Sequence, residues 1–470
     1  MIKIRLLGRK PTHKARVRQA PGKGNPYACL THAFATLSIM LWISPGLFGQ
    51  IPVIEKPKPA TLKQVEIGTN QQNQIQNPYY NLNKGINDRT RQNNQMIMQE
   101  VERHQRQNSI QQMNGLYKNM NNHSISYKLP ELESFKGTEY YHNALSKLND
   151  MLTGKRPLNL KRAVFTVENA YFENQMDYEQ FEKSIKNAVD ICNLKMAEYG
   201  IDNPSDLVKN FTIFNYMSDT LHLNIPGKEQ QLTHYPFQYD FKDYMGNKNW
   251  SNMFVSKLMA TNSGQCHSMP LFYLILAQEL NAESYLIYSP NHSFIRFKSQ
   301  NGGWYNAELT SGSIISDAAI LESGFVKAEA IRNGIYMDTL SLHETIAAMI
   351  NDLASGYIHK YGYDSFVKQC VDVVKKYYPN QLNTVMLEAN WQTRTTLYIA
   401  NQKGNPQPTD LIKDPIAKEN YIRMHEIYAK IDSLGYEYMP EEHYDKWLKS
   451  LKKEKNKPEN QKNFIHQIIE

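Results

Sequence analysis

The residue types needed for nucleophilic chemistry on an amide stand close together in one part of the sequence. Cys266 follows a Thr-Asn-Ser-Gly turn, His292 follows the pair Pro290-Asn291, and Glu308 lies near the end of the next apolar run. A thiol attacks an amide only as the thiolate, so it requires a base and a positive electrostatic environment nearby. A histidine supplies the base, and an acid or amide side chain orients its ring. These residues indicate a cysteine–histidine–acid site for acyl transfer.

One helix and three strands must position these side chains. Residues 266–280 have a strongly apolar face and contain Pro270, which is tolerated only near the start of a helix. This places Cys266 at or near the helix N-terminus, where unpaired amides and the helix dipole favour a thiolate and an oxyanion. Three short β-like runs follow, at residues 284–289, 293–298 and 303–309.

Several roles in this site stay open on the residues alone. Asn306 and Glu308 are two apart on one strand and so point to the same face, and either can orient the imidazole. His267 competes as the base, although its adjacency to Cys266 on a helix turns it away by about 100°. A buried structural thiol and a surface turn histidine are the alternatives for Cys266 and His292. Two further side chains are candidates for substrate binding and an oxyanion donor: Gln265 and Trp250.

This segment resembles the core of the transglutaminase-like superfamily. The resemblance covers residues 263–312 and rests on three groups of residues: Gly264-Gln265-Cys266, His292, and Gly303-Trp304-Tyr305-Asn306-Ala307-Glu308-Leu309-Thr310. In that family a cysteine heads a helix, a histidine starts a strand, and an acid follows in a Gly-Trp-x-x-x-Asp-x-Thr pattern. The frame places Glu308 on the family's Asp, so the resemblance selects it over Asn306, with a side chain one methylene longer.

The resemblance implies a fold class and a function. The fold is α+β, with a papain-like core of a helix packed on an antiparallel sheet and helical additions at both ends. The function is cysteine-dependent acyl transfer on peptide or other amide bonds. We favour hydrolysis over cross-linking, because no second substrate site is evident. No metal or other cofactor is expected, and the partner is a protein or peptide substrate. The alternatives are a catalytically inactive binding or scaffold protein outside the cytoplasm and a membrane-tethered assembly component.

The N-terminal segment has the features of a secretory signal. Eight of the 53 Lys and Arg residues lie in the first 49 positions, and no acidic residue precedes Glu55. The remaining 45 basic residues face 46 acidic ones, so the net charge of +7 gives no reason to expect nucleic-acid binding. An apolar run at 33–48 follows, too short for a convincing membrane span. The sequence therefore predicts export to the periplasm, the cell surface or the medium, with an uncleaved anchor as the alternative.

The other cysteines suggest structural roles. The chain has four, at positions 29, 192, 266 and 370, and no Cys-x-x-Cys pair, which argues against a zinc site or a disulfide framework. Cys29 falls within the predicted signal. Cys192 and Cys370 lie among apolar residues at helical spacing and are predicted to be buried.

The composition divides the chain into five segments. The helical segment near its C-terminus roughly matches the spacing of a tetratricopeptide-type helix pair, with a generic helical hairpin as the alternative. The predicted segments are a signal at 1–49, a Gln/Asn-rich flexible linker at 50–128, the transglutaminase-like domain at 129–335, a helical domain at 336–455 and a basic tail at 456–470.

Overall fold

The structure, a computed structural model, describes residues 125–201, 203–224, 231–322 and 324–455. Over these ranges the chain is an α+β protein in which helices surround one four-stranded antiparallel sheet and two smaller sheets. No helix in the same ranges is long and apolar enough to cross a membrane. The predicted signal, most of the linker and the basic tail lie outside the described residues, so the assignments made for them stay predictions.

Within the described residues, four helices precede the first strand. Their bounds are α1 Thr138–Leu152, α2 Leu160–Tyr171, α3 Tyr178–Glu198 and α4 Asp206–Ser218. The third helix begins where the Asp177 side chain accepts the amides of Glu179 and Gln180, which otherwise lack partners in the first turn. It ends before Gly200, whose φ of +68° cannot continue a helix. Apolar residues at helical spacing mark α1 and α3 in the sequence, whereas α2 was not predicted.

The middle of the described chain contains all of its strands. In chain order the elements are β1 Leu221–Asn224, β2 Gln231–His234, β3 Gln238–Tyr239, a 3-10 helix Trp250–Met253, α5 Val255–Thr261, β4 Ser263–Gly264, α6 Ser268–Glu279, β5 Tyr285–Ser289, β6 His292–Lys298, β7 Trp304–Glu308 and β8 Ser313–Ile315. The predicted local order of one helix followed by three strands is confirmed. A fourth strand, β8, extends the sheet beyond β7.

The four-stranded sheet is an antiparallel meander of β5, β6, β7 and β8. A two-residue turn joins the first two strands, and Asn291 has a φ of +57° there, which Asn tolerates better than most residues. One face of the sheet contributes Ile295 and Ala307 to the main core, which also contains the buried side chains of α6. The opposite face contributes Phe294 to a smaller cluster with Ile320. Helices therefore pack against both faces of the sheet.

Eight helices follow the sheet in the part of the chain that the structure describes. Their bounds are α7 Asp317–Leu321, α8 Ala328–Arg332, α9 Leu342–Lys360, α10 Ser365–Tyr377, α11 Leu382–Gln402, α12 Pro408–Leu411, α13 Pro415–Ser433 and α14 Glu441–Lys455. Helix α9 packs on α1 and α2 as well as on α10, so the main core includes residues from both sides of position 335. This core is continuous across residue 335, where the sequence suggests a domain boundary. The pairs α9–α10 and α11–α13 pack as helical hairpins do, and the tetratricopeptide interpretation stays a prediction.

Candidate active site

Cys266 lies directly before α6, next to the short parallel pair of β3 and β4. Met269 N donates to Gln265 O at 3.0 Å as the helix begins, so the cysteine lies beside amides that have no partner within the helix. Gly264 is required at this point, because a Cβ there would approach Ser268 Oγ to 2.6 Å. The predicted position of the cysteine near a helix N-terminus is confirmed.

His292 and Glu308 form a buried hydrogen-bonded pair. His292 opens β6 and Glu308 closes β7, and their Nε2 and Oε2 atoms are 2.6 Å apart. Each side chain is only 1% exposed. The second carboxylate oxygen, Oε1, accepts the amide of Thr310 at 2.7 Å. Both oxygens of Glu308 are therefore engaged, and the imidazole ring is held in one orientation.

The histidine also lies next to the cysteine. Because Nε2 binds Glu308, only Nδ1 of His292 is left to face the thiol, and this buried nitrogen makes no hydrogen bond of ordinary geometry among the described residues. The next residue, Ser293, donates from Oγ to the backbone carbonyl of Cys266 at 2.5 Å. This bond joins the start of β6 to the start of α6. Sulfur, imidazole and carboxylate thus share one buried corner of the fold.

The charges in this corner favour an ionised cysteine. Burial raises the pKa of the Cys266 thiol, but the charge of His292 and hydrogen bonds from its surroundings lower it to below its usual value. Burial lowers the pKa of His292, but the charges of Glu308 and Cys266 raise it to about 10. Burial raises the pKa of Glu308, and the charge of His292 reverses this and lowers it. These shifts favour a thiolate, an imidazolium and a carboxylate in this group.

A tyrosine of β3 lies beside the thiol. Tyr239 pairs with Gly264, two residues before Cys266, in the parallel pair. Its buried hydroxyl makes no hydrogen bond of ordinary geometry within the described ranges. Burial raises the pKa of Tyr239 well above its usual value, and the neighbouring charge of Cys266 raises it further. At neutral pH this side chain is therefore a protonated donor next to the sulfur.

The last described helix, α14, covers both the thiol and the imidazole. The ring of Trp447 lies against the ring of His292, with centroids 4.5 Å apart and planes at 75°. One turn earlier, the hydroxyl of Tyr444 is 3.7 Å from Cys266 Sγ. Cys266 is only 9% exposed. In this conformation a substrate has almost no path to the sulfur.

The two residues predicted to bind substrate have other contacts. Gln265 is fully buried, and its Nε2 donates to the carbonyl of Asp243 at 3.1 Å. Its Oε1 is buried without a hydrogen-bond partner among the described residues. Trp250 lies in the 3-10 helix and stacks on His359, with centroids 4.8 Å apart. Gln265 directly precedes Cys266 in the chain, and the predicted roles of both residues in substrate binding stay predictions.

The other candidates for the base and the orienting group are engaged elsewhere. Asn306 Oδ1 accepts from Arg296 Nε at 2.8 Å, and its amide donates to Asp317 at 2.7 Å. His267 Nε2 lies 3.2 Å from the carboxylate of Asp352. Burial lowers the pKa of His267, and the charge of Asp352 raises it to a value above the usual one. The structure therefore brings His292 and Glu308, rather than these two residues, to the cysteine.

The remaining described cysteines differ from Cys266 in their electrostatics. Cys192 and Cys370 are buried in the main core, and burial raises the pKa of both thiols. Neither forms a disulfide. The predicted core positions of these two residues are confirmed. Across the described part of the chain, no group of three or more His, Cys, Asp or Glu side chains is arranged to hold a metal ion.

Tyr239, Tyr444 and Trp447 lie at the site but are not among the candidates drawn from the sequence. Tyr239 belongs to a strand of two residues, too short to leave a periodic signal. Tyr444, Trp447 and Leu448 do have the spacing of one helical face, but they stand among lysines that suggest a solvated helix. The apolar stripe is the signal that identifies this helix as a packed one.

No family model matches the sequence, and no curated protein matches it. Among solved structures, the chain is similar to menin, in a crystal structure described as revealing the binding site for the Mixed Lineage Leukemia (MLL) protein. The match has 14% identity and covers 72% of this chain and 91% of that chain, with a TM-score of 0.28. A match at this level supports no conclusion about the fold or the function.

Proposed function

We propose that this chain is a cysteine-dependent acyl-transfer enzyme with a transglutaminase-like, papain-type core, and that it hydrolyses peptide or other amide bonds. The observation that carries the proposal is the 2.6 Å bond between His292 and Glu308 beside a cysteine whose pKa is lowered. A histidine–glutamate pair with a purely structural role would not require an ionisable cysteine beside it. Buried groups with displaced pKa values are characteristic of catalytic sites.

In the first half of the reaction, the Cys266 thiolate attacks the carbonyl carbon of the amide. The electron pair of the C=O bond moves to oxygen, and we assign the helix-start amides and the Tyr239 hydroxyl as donors that stabilise this oxyanion. When the tetrahedral intermediate collapses, the C–N bond breaks and His292 gives its proton to the leaving amine. A thioester to Cys266 remains.

In the second half, the now neutral His292 takes a proton from water, and the hydroxide formed attacks the thioester. The C–S bond breaks, the carboxylic acid leaves, and the cysteine and histidine return to the thiolate–imidazolium form. A lysine amine in place of water would give a cross-link instead. Glu308 keeps the imidazole oriented and stabilises its charge throughout both halves.

The first test measures the thiolate directly. The ultraviolet absorbance of a thiolate requires no reagent to reach the sulfur, so the covering helix does not interfere. At about pH 6 we expect a thiolate signal in the parent chain that disappears in Cys266→Ala and in His292→Ala. Cys370→Ala is the matched control, because it removes a buried thiol outside the site. An unchanged spectrum in Cys266→Ala at this pH contradicts the proposal.

The second test measures the reaction. A library of peptide amides is incubated with the chain, and mass spectrometry detects conversion of the amide to the acid, with Cys266→Ala as the control. Addition of a lysine-containing peptide distinguishes cross-linking from hydrolysis. We also propose that the chain acts outside the cytoplasm; detection of a mature form lacking residues 1–49 tests this.

The covered site favours one alternative, a catalytically silent scaffold with the same fold. In a scaffold, Tyr444 and Trp447 would be permanent packing over a thiol that never reacts. Such a protein predicts no thiolate at about pH 6 and no product from any amide. The two tests above therefore separate the enzyme from the scaffold.

A further inference from the structure

We propose that helix α14, residues Glu441–Lys455, is a built-in cover that must leave the cleft before an amide substrate reaches Cys266. The inference rests on the proposed function. We call this helix the cover. It is carried by the same chain as the site, so it inhibits without a separate protein.

The cover occupies the space that a substrate requires. Attack on an amide needs the carbonyl carbon within roughly 3–3.5 Å of the sulfur. The hydroxyl of Tyr444 is already 3.7 Å from Cys266 Sγ, and the ring of Trp447 lies on the imidazole that must protonate the leaving group. Substrate and cover therefore cannot occupy the site together.

The cover holds its place through one amphipathic face. Tyr444 and Leu448 are buried in the main core, and Trp447 packs against this core while only partly buried. The cover is also held by Asp445, whose Oδ1 accepts a hydrogen bond from the hydroxyl of Tyr244 at 2.6 Å. The opposite face, which includes Lys449, is exposed. This single apolar face is the attachment of the cover to the main core.

The connection to the rest of the fold permits this movement. The cover is joined to the preceding helix, α13, only through residues 434–440, and Met439 is buried just before it. Pro440 then separates this buried residue from the helix. Displacement of the cover therefore requires rotation at one short segment and leaves β6, β7 and α6 in place. Terminal helices with few contacts open at a lower free energy than the core.

The test measures access to the sulfur separately from its activation. Alkylation of Cys266 by iodoacetamide is followed by peptide mass spectrometry at about pH 9, where an ordinary thiol also reacts. We expect Trp447→Ala to alkylate about tenfold faster or more than the parent chain, because the ring over His292 is lost. Lys449→Ala, on the exposed face of the same helix, is the matched control and should alkylate at the parent rate.

Two further variants keep the result independent of one substitution. Tyr244→Phe removes the hydrogen bond to Asp445 and should also accelerate alkylation, by a smaller factor. A chain that ends at Met439 should alkylate fastest, provided that its circular dichroism spectrum shows a folded protein. Equal rates in the parent chain, Trp447→Ala and Tyr244→Phe overturn the inference.

The amide hydrolysis assay tests whether α14 covers the active site or is part of it. Faster hydrolysis by Trp447→Ala supports the cover, whereas faster alkylation combined with lost hydrolysis shows that the helix belongs to the active site and overturns it. Failure of the proposed function can be told apart from failure of the cover inference, because it appears as a missing thiolate signal at about pH 6. The alkylation rates at about pH 9 still report on the cover in that case.

Discussion

Glu308 Oε2 binds His292 Nε2 at 2.6 Å, and the carboxylate is fixed in turn by the amide of Thr310 on its other oxygen. Two neighbouring strands bring these residues together from sixteen positions apart, with both side chains almost fully buried. The carboxylate selects the orientation of the ring and stabilises the positive imidazole, and this positive charge in turn lowers the pKa of Cys266.

Glu308→Gln should therefore weaken the whole site. The amide keeps the size of the side chain but removes the negative charge that raises the pKa of His292. We expect the thiolate signal at about pH 6 to fall and kcat/KM to drop by roughly 10³-fold. Glu329→Gln, at an exposed carboxylate paired with Arg332, is the control. Parent-like kinetics in Glu308→Gln would show that the acid has no role in catalysis.

Glu308→Asp tests the length of the side chain. The charge is kept, but the carboxylate is drawn back by one methylene from a contact of 2.6 Å. We expect kcat/KM to lie between those of the parent and Glu308→Gln, at a loss of about tenfold to a hundredfold. Steady-state kinetics on the same peptide amide measure this. A variant as active as the parent would mean that the fold accepts either acid.

The pH profile of the reaction should have two limbs. As pH falls through the lowered pKa of Cys266, the thiolate is protonated and kcat/KM falls. As pH rises through about 10, His292 loses the proton that the leaving amine requires, and kcat/KM falls again. The thiolate absorbance should show only the acidic limb. A single step at the ordinary pKa of a thiol, in both measurements, would contradict the ion pair.

The same shifts give the sign of the stability change. A raised histidine pKa stabilises the fold fully below the ordinary value of 6.5, and this contribution disappears as pH rises toward 10. A lowered cysteine pKa stabilises the fold above its ordinary value, and this contribution disappears as pH falls through the lowered value.

Ser293→Ala should destabilise the fold through a buried carbonyl. Ser293 Oγ donates to Cys266 O at 2.5 Å, and without this bond the oxygen stays buried without a partner. We expect the free energy of unfolding to fall by about 1–3 kcal/mol, measured by urea denaturation. Ser433→Ala is the matched control, because that hydroxyl also donates to a backbone carbonyl but at an exposed site. Equal losses in both variants would refute this explanation.

Tyr239→Phe distinguishes catalysis from packing. The substitution keeps the buried ring of this residue, so we expect little change in stability. As an oxyanion donor it should matter in the transition state, and we expect kcat to fall by about 10²-fold with little change in KM. Tyr235→Phe, at a tyrosine that is 66% exposed, should leave kcat and KM unchanged. An unaltered kcat in Tyr239→Phe would assign this residue to packing alone.

The sequence predicts the parts of the site that are encoded locally. Pro270 and the turn before Cys266 locate a helix start, and the alternating runs locate the strands that carry His292 and Glu308. Each signal spans about ten residues, so the pairing of neighbouring strands brings their ends together.

Contacts between distant segments leave no such signal. The meeting of Cys266 with Tyr444 joins residues 178 positions apart, and nothing in the spacing of either segment indicates the other. The continuity of the core past residue 335 is of the same kind, because it depends on how α9 packs against α1 and α2. Tertiary packing, rather than periodicity, decides both.

The position of α14 in the chain determines when, during synthesis, the active site becomes covered. Translation proceeds from the N-terminus, so the ribosome makes this helix after every element that surrounds Cys266. The earlier elements can pack while this helix is still being synthesised, and the sulfur stays open to solvent for that interval. A chain whose synthesis stops before Glu441 would therefore lack the helix that covers Cys266.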